Sequence, residues 1–182
     1  MSYCELAPGH PWHGPYHDLE YGFPNPSEEV MFERLALEIM QAGLSWLLVL
    51  RKRAALQTAF DGFVVDRVAA YDEADYARLL ADEGIIRNRL KIEAIGANAR
   101  RIQELRESHG SFDGWLAAHH PLSKAEWVKL FRRSFRFTGG EVTGEFLMSL
   151  GYLPGAHRPD CPVYATIAAM GPPWLAAATG TS

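Results

Sequence analysis

Apolar residues recur at helical spacing along most of this chain. Phe32, Leu35 and Ile39 lie three and four residues apart behind Ser27, a residue type that caps helices. Asp72 precedes a similar stripe. The pattern predicts helices over about residues 27–43, 45–60, 72–84, 88–107, 111–119, 123–134 and 141–151, with a short turn or helix beginning at Asp66.

No segment alternates between apolar and polar residues for long enough to predict a stable strand. The best candidate, residues 135–138, is too short to build a sheet. The fold class that we expect is therefore all-α. Proline and glycine are concentrated in residues 8–15 and 154–162, so we expect these two segments to lack helical hydrogen bonds of their own.

The composition is that of one ordinary globular domain. The chain has 182 residues, of which 48% are hydrophobic and 22% are charged, and this length is sufficient to bury a core. No apolar run reaches the ~20 residues that cross a bilayer, and the start does not resemble a secretory signal. We expect a cytoplasmic monomer without a membrane partner, with a single domain over residues 1–170 and a flexible tail over residues 171–182.

The net charge of −4 is distributed unevenly along the chain. Residues 1–33 contain acidic residues but no lysine or arginine, whereas residues 84–106 and 123–138 are strongly basic. Most of the basic residues are arginine, which suits bidentate phosphate contacts. The distribution is compatible with a basic face that binds nucleic acid, although such charges can also serve only to solvate helix surfaces.

The two cysteines lie near opposite ends of the chain, and each has a histidine at ligand-like separation. Cys4 is followed by His17, and His157 precedes Cys161. Together the four side chains form a Cys₂His₂ set that can close a tetrahedral Zn²⁺ site. One such site per chain would be structural, because four protein ligands leave no position for a water molecule. A disulfide or two isolated buried thiols are the alternatives.

Three blocks in the N-terminal third and one predicted hairpin follow a recognisable pattern. They are Tyr16–Pro24 (YHDLEYGFP), Leu37–Trp46 (LEIMQAGLSW), Val49–Arg53 (VLRKR) and Gly84–Arg89 (GIIRNR). The blocks resemble the patterns Y-H-D-x-E-W-G-x-P, L-E-x-x-Q-A-G-L-S-W, V-L-x-K-R and G-I-I-R-x-R of the bacterial DNA-3-methyladenine glycosylase I family. The likeness extends over residues 1 to about 161, and the four candidate metal ligands coincide with the zinc ligands of that family.

The resemblance implies an all-α helix-hairpin-helix fold in which a zinc site joins the N- and C-terminal segments. It implies a base-excision repair enzyme that flips N3-alkylated adenine out of double-stranded DNA and hydrolyses the N-glycosidic bond of that base. The expected mechanism is monofunctional, with water as the nucleophile. The partner is therefore alkylated double-stranded DNA.

Glu38, inside the best-matched block, is the candidate catalytic residue. A buried carboxylate is costly unless it is paired, and alkylation gives adenine a positive charge that normal adenine lacks. The alternatives are a solvent-facing acid or a partner of Arg34 one turn earlier. The resemblance places the base-binding pocket at His13, Tyr16, Tyr21 and Trp46.

The segment around Gly84 is the candidate DNA-binding hairpin. Backbone N–H groups at the start of the following helix would face a phosphate, and Arg87, Arg89 and Lys91 would add positive charge. Alternatively, Gly84 only ends one of two packed helices.

A few positions depart from the family pattern. Leu6 stands where the family usually has an aromatic residue, His13 where it has tyrosine and Tyr21 where it has tryptophan, while Gly144 replaces a tyrosine. We therefore expect part of the aromatic lining and of the rear wall of the pocket to be missing. One alternative is a catalytically weak or repurposed member that binds damaged DNA without efficient base release. A zinc hydrolase acting on small molecules is another, but it requires an open metal position.

Overall fold

The computed structural model describes residues 1–180, and every regular element in that range is helical. The α-helices are α1 (Tyr3–Leu6), α2 (His13–Leu19), α3 (Glu28–Gln41), α4 (Trp46–Ala59), α5 (Val65–Ala69), α6 (Glu73–Ala81), α7 (Arg89–His109), α8 (Phe112–His119), α9 (Lys124–Ser134), α10 (Gly140–Ser149), α11 (Pro162–Ala169) and α12 (Pro173–Thr179). A 3₁₀ turn over Asp61–Phe63 separates α4 from α5. The all-α prediction is confirmed. Within residues 1–180 each helix is too short or too polar to cross a lipid bilayer.

Local caps explain where the predicted helices begin. The Ser27 hydroxyl, the Asp72 carboxylate and the Asn88 amide oxygen each accept a hydrogen bond from a backbone N–H in the first turn of the following helix, at 3.4, 2.9 and 3.1 Å. The helices that the apolar spacing predicts are observed as α3, α4, α6, α7, α8, α9 and α10, with ends displaced by a few residues.

The helices at the two ends of the chain are not predicted by the apolar spacing. The expectation that residues 8–15 lack helical hydrogen bonds is wrong, because α2 begins at His13, whereas residues 154–161 are irregular as expected. Pro15 lies in the first turn of α2, and Pro162 begins α11. Proline is tolerated there because the first N–H groups of a helix have no acceptor within it.

The C-terminal tail also differs from the sequence-based expectation. Pro173–Thr179, which the expected flexible tail includes, form α12, and the Trp174 ring lies 5.9 Å from the Tyr164 ring of α11. Proline at the first position of a helix has a backbone angle that already suits the helix. Residues 181–182 of the expected tail lie outside the described residues.

Helix α3 runs through the centre of the core. Ten consecutive residues, Met31–Met40, are buried, because α3 packs against α4, α7, α8 and α10. Glu33 and Arg34 in this stretch form ion pairs of 2.7 and 3.1 Å with a side chain of α4 and with the C-cap residue of α2. Neither ion pair includes the third buried charged residue, Glu38, so its carboxyl group is the part of α3 that calls for a functional explanation.

The turn between α3 and α4 is held from the side by α7. Gly43 closes the turn with a φ of +78°, a conformation that favours glycine. Lys91, near the start of α7, is buried, and its ammonium group donates hydrogen bonds to the carbonyls of Met40 at 2.8 Å and Ala42 at 2.6 Å. The last carbonyls of a helix lack intrahelical donors, so Lys91 satisfies two acceptors at the end of α3. The position of Trp46, which begins α4, is thereby tied to α7.

Candidate functional site

A cavity of about 420 Å³ lies between the N-terminal helices, the turn from α3 to α4 and helix α10. This volume is within the range of small-molecule sites. It is lined by Tyr3, Leu6, His13, Tyr16, Tyr21, Glu38, Gln41, Ala42, Gly43, Leu44, Trp46, Glu141 and Glu145. Four of the lining residues, at positions 13, 16, 21 and 46, are those that the resemblance assigns to the base pocket. We call this cavity the base pocket.

Aromatic rings form most of the wall of the base pocket. The Tyr16 and Trp46 rings are 5.1 Å apart and meet edge to face, while the Tyr21 ring stacks on Tyr16 at 5.7 Å. Tyr3 packs edge-on against Tyr21 at 5.5 Å. These contacts hold the rings of the wall in fixed orientations before any ligand binds. A planar aromatic ligand could therefore enter without reorganising the wall.

Glu38 is the buried acid of the base pocket. Its side chain is only 4% exposed, and no hydrogen bond or ion pair with another residue in 1–180 reaches its carboxyl group. Arg34, the alternative partner one turn earlier, is instead paired with Glu20 and with the Ser149 carbonyl. Burial and the charge of Glu145 raise the pKa of Glu38 well above the usual range of a carboxyl group, and Arg34 opposes this shift.

A second buried polar group, on a residue that lines the base pocket, also lacks a partner. The Tyr16 hydroxyl is buried and makes no hydrogen bond within the described residues. The guanidinium groups of Arg34 and Arg53 lie over the Tyr16 ring, 5.1 and 5.9 Å from its centre. Buried polar groups are normally hydrogen-bonded in native proteins. Because Glu38 lines the cavity, its unpaired carboxyl group indicates that the pocket accepts a ligand with hydrogen-bond donors.

Next to the base pocket, the two cysteines and two of the histidines form a cluster that could hold a metal ion. Ligand atoms of Cys4, His17, His157 and Cys161 all lie within 4.8 Å of one another. The Cys161 sulfur is 3.5 Å from His157 Nδ1 and 3.8 Å from His17 Nε2, and the Cys4 sulfur is 3.7 Å from His157 Nδ1. A tetrahedral metal bound to sulfur at ~2.3 Å and nitrogen at ~2.0 Å separates these atoms by about 3.6 Å. The four side chains therefore fit a tetrahedral metal.

The other ring nitrogens of the two histidines support the same conclusion. His17 Nδ1 lies 2.7 Å from the Asp18 carboxylate, and His157 Nε2 donates to the Tyr21 carbonyl across 2.7 Å. Such bonds direct the remaining nitrogen of each ring towards a metal. Burial lowers the pKa of His157, which favours the neutral form that can bind a metal. Both cysteines are free thiols, which excludes the disulfide alternative in this structure.

Comparison with known sequences decides the family. A family model described as methyladenine glycosylase matches residues 7–127. This chain belongs to the methyladenine glycosylase family. The resemblance inferred from the sequence blocks is confirmed, and the protein is an enzyme of the hydrolase class that acts on N-glycosyl bonds.

Named relatives and solved structures cover nearly the whole glycosylase. It is 34% identical over 187 residues to DNA-3-methyladenine glycosylase 1 of Escherichia coli (strain K12), covering 90% of this chain and 97% of the relative. It is 33% identical over 166 residues to DNA-3-methyladenine glycosylase of Haemophilus influenzae, covering 81% and 89%. The structure of 3-methyladenine DNA glycosylase I from Staphylococcus aureus superimposes with a TM-score of 0.78 at 29% identity, covering 90% of this chain and 96% of that one. A variant of 3-methyladenine DNA glycosylase I in complex with 3-methyladenine gives 0.79 at 28% identity, covering 90% and 97%.

The predicted DNA-binding hairpin of the glycosylase connects α6 to α7, and its residues differ in whether a DNA phosphate could reach them. Arg87 and Arg89 are exposed, and Arg89 pairs with Glu93 at 3.3 Å. The expectation that Lys91 adds charge at a phosphate is wrong, because its buried ammonium group is bonded to two carbonyls at the end of α3. The N–H group of Gly84 donates to Asp82 Oδ1 at 2.8 Å, so it is not free to bind a phosphate.

The departures from the family pattern lie in different places in the glycosylase. Leu6 and His13 line the base pocket, and Leu6 is partly exposed there. Gly144 does not line it, because a Cβ atom at this position would lie 2.8 Å from Cε of Lys124. The expectation that Gly144 removes part of the pocket wall is therefore wrong.

Several residues of the base pocket were not found by sequence reasoning. Tyr3 precedes the matched blocks, and Leu44 lies in the turn from α3 to α4, where its side chain is 39% exposed at the pocket. Glu141 and Glu145 lie on α10, more than 90 residues from the other acid of the pocket. The spacing of four residues between these two acids places them on one helix face, but it does not reveal which cavity that face borders.

Proposed function

We propose that this chain is a DNA-3-methyladenine glycosylase that cleaves the N-glycosidic bond of N3-alkylated adenine in double-stranded DNA. The observation that carries the proposal is the Glu38 carboxyl group, which is buried and unpaired in an aromatic pocket. Relatives that align with most of the chain bear the name DNA-3-methyladenine glycosylase. A solved relative of the same fold binds 3-methyladenine.

The base reaches the pocket by leaving the base stack. An enzyme that acts on the glycosidic bond of a base in a duplex must extrude the nucleotide, at a cost of a few kcal/mol. The flipped base stacks among the rings of Tyr16, Tyr21 and Trp46. Glu38 attracts the positive charge that alkylation places on the purine and accepts a hydrogen bond from its exocyclic amino group. Normal adenine lacks this charge, so Glu38 discriminates in favour of the lesion.

The chemistry requires little acid catalysis. The bond between N9 and C1′ of the sugar breaks, its electron pair stays with the cationic purine, and the base departs neutral. The sugar gains oxocarbenium character, the oxygen of a water molecule bonds to C1′, and the water proton passes to solvent. The residues that line the pocket include no lysine, and Lys91 is bonded to the carbonyls of Met40 and Ala42. No lysine among residues 1–180 is therefore placed to form a Schiff base, and we assign water as the nucleophile of a monofunctional reaction.

The Cys₂His₂ cluster holds one structural Zn²⁺. Zinc bound there supplies cross-linking coordination between Cys4 and His17 of the N-terminal segment and His157 and Cys161 of the C-terminal segment. With four protein ligands, no position remains to activate water. This donor set argues against the alternative of a zinc hydrolase.

Alkylated double-stranded DNA binds across the mouth of the pocket and the hairpin. The exposed Arg87 and Arg89 contact phosphates and orient the duplex. The partly exposed Leu44 lies at the pocket, where an apolar side chain can fill the space that the flipped base vacates. The glycosylase acts as a monomer.

Base release from methylated duplex DNA tests the proposal, with the released products identified by mass. We expect 3-methyladenine from the unmodified protein and a rate lower by about 100-fold or more for Glu38→Gln, which keeps the shape but loses the charge. Glu107→Gln is the matched control, because Glu107 is exposed and lies outside the pocket lining. Tight binding of methylated DNA without release of any base would overturn the proposal in favour of a repurposed member of the family, an alternative motivated by Leu6 and His13.

A further inference from the structure

Three carboxylates line the base pocket, and the proposed function uses only Glu38. Glu141 and Glu145 lie one helical turn apart on α10, so their side chains leave the same face of the helix. The residues that line the pocket include neither lysine nor arginine. The pocket therefore has a strongly negative wall.

The position of Glu145 is not explained by the stability of α10. Two like charges four residues apart repel each other and destabilise a helix. Glu141 lies in the first turn, where the helix dipole favours an acid, but Glu145 lies in the second turn and lacks this benefit. The Tyr21 hydroxyl donates to Glu145 Oε2 at 2.8 Å, but a neutral amide oxygen could also accept this bond, so the bond does not require a charge. The charge of Glu145 thus calls for a different explanation.

The charges of Glu145 and Glu38 both act on the base pocket. After burial, the charge of Glu145 is the largest cause of the raised pKa of Glu38, so the two carboxylates lie within electrostatic reach of each other across the pocket. Glu38 is 4% exposed without a hydrogen-bonding partner among the described residues, and the Tyr16 hydroxyl is buried without one. Because Glu38 lines the cavity, its unpartnered carboxyl group indicates that the negative wall borders a ligand site and is not only an acidic surface.

We propose that Glu145 is a specificity-determining residue, which makes the base pocket select purines carrying a positive charge from alkylation over neutral purines. A cation in the pocket is attracted by Glu38 and Glu145 together, and it relieves the repulsion between them. A neutral purine relieves none of it. The inference rests on the proposed function, since it assigns a purine base to this pocket.

Binding of free bases tests the role of Glu145 without DNA or turnover. The probes are 3,9-dimethyladenine, which is permanently cationic, and 9-methyladenine, which is neutral and nearly the same size. Their dissociation constants are measured by calorimetry for the unmodified protein and for Glu145→Gln, at the alkaline end of the pH range in which both proteins stay folded, so that Glu38 is ionised in both. We expect Glu145→Gln to weaken binding of the cation about tenfold and to leave binding of the neutral base within about twofold.

Three further variants separate the charge of Glu145 from other effects. Glu107→Gln removes one negative charge from an exposed site outside the pocket, and we expect it to change neither dissociation constant. Tyr21→Phe keeps the ring in the pocket wall and the charge of Glu145 but removes the hydrogen bond between them. Loss of the preference for the cation in this variant would assign the preference to that hydrogen bond and overturn the role of the charge. If Glu145→Gln does not fold, as judged by its melting curve, Glu145→Asp replaces it and should retain the preference for the cation.

The outcomes distinguish this inference from the proposed function. An equal loss for both probes in Glu145→Gln, an unchanged affinity for the cation, or loss of the preference in Glu145→Asp would each overturn the role of Glu145. Failure of the unmodified protein to prefer the cation would do the same. If the unmodified protein prefers the cation and Glu145→Gln loses that preference, but no base leaves methylated DNA, the role of Glu145 stands and the proposed function fails.

Discussion

The imidazole of His157 donates a hydrogen bond from Nε2 to the backbone carbonyl of Tyr21 across 2.7 Å. The other nitrogen of His157 faces Cys4 and Cys161 in the candidate metal site, and the Tyr21 ring is part of the base-pocket wall. A single side chain therefore links the cluster that joins the two ends of the chain to the surface against which a base would stack. We therefore expect a change at the candidate metal site to alter the position of Tyr21 in the pocket wall.

The first prediction concerns Cys161→Ala. Loss of one ligand releases the irregular segment before α11 from the N-terminal helices, and we expect the melting temperature to fall by roughly 5–10 °C. Calorimetry with and without a chelator measures this effect, and the chelator should not lower the melting temperature of Cys161→Ala further. His109→Ala, which changes an exposed histidine outside the cluster, is the control. An unchanged melting temperature after verified metal removal would contradict a structural metal.

The second prediction is a pH dependence of base release. The charged groups that act on Glu38 are Glu145 from α10 and Arg34 from α3. The charge of Glu38 in turn helps to raise the pKa of the tyrosine hydroxyls at positions 3, 16 and 21. Because the pKa of Glu38 is raised, its carboxyl group is protonated at acidic pH and cannot attract a cation. We expect kcat/KM to rise with pH through this raised pKa. In Glu145→Gln the pKa of Glu38 is lower, so the rise should shift to more acidic pH; an identical profile in the two proteins would contradict this coupling.

The third prediction concerns stability at the same residue. A carboxyl group whose pKa is raised by folding stabilises the fold fully below its unfolded pKa and loses that contribution as pH rises through the folded value. We expect Glu38→Gln to melt at a higher temperature than the unmodified protein, with a difference that grows from pH 5 to pH 8. Melting curves at several pH values measure the difference. A gain that is independent of pH would show that charge burial is not its cause.

The fourth prediction separates Lys91 from Arg87. Lys91→Met leaves the carbonyls of Met40 and Ala42 without their donor, so we expect a loss of about 1–3 kcal/mol in the free energy of unfolding. The salt dependence of DNA binding should not change. Arg87→Ala should leave stability nearly unchanged. It should reduce the slope of log Kd against log salt concentration by about 1, which corresponds to the loss of one phosphate contact. A reduced slope in Lys91→Met would restore its predicted role at a phosphate.

Much of the fold and part of the site follow from the sequence because their determinants are local. Ser27, Asp72 and Asn88 cap the helices that the apolar spacing predicts, and these caps act within one turn. Cys4 and Cys161 are the two cysteines of the chain, so their pairing with nearby histidines could be proposed without coordinates. Glu38 could be singled out because it lies inside the block that best matches the family pattern.

Tertiary structure alone decided what each charged residue faces. Lys91 and Arg89 are two residues apart on α7, yet Lys91 is 4% exposed and bonded to the end of α3, while Arg89 is open to solvent. Gly144 and Glu145 are adjacent, yet Gly144 packs against Lys124 and Glu145 borders the base pocket. Neighbouring residues on a helix point about 100° apart, and which of them meets solvent, core or cavity depends on helices far away in the chain. The sequence by itself determined the helices from α3 to α10 and the candidate chemistry, because their signals are local. The charge pattern of the pocket arose only when α10 packed beside α3.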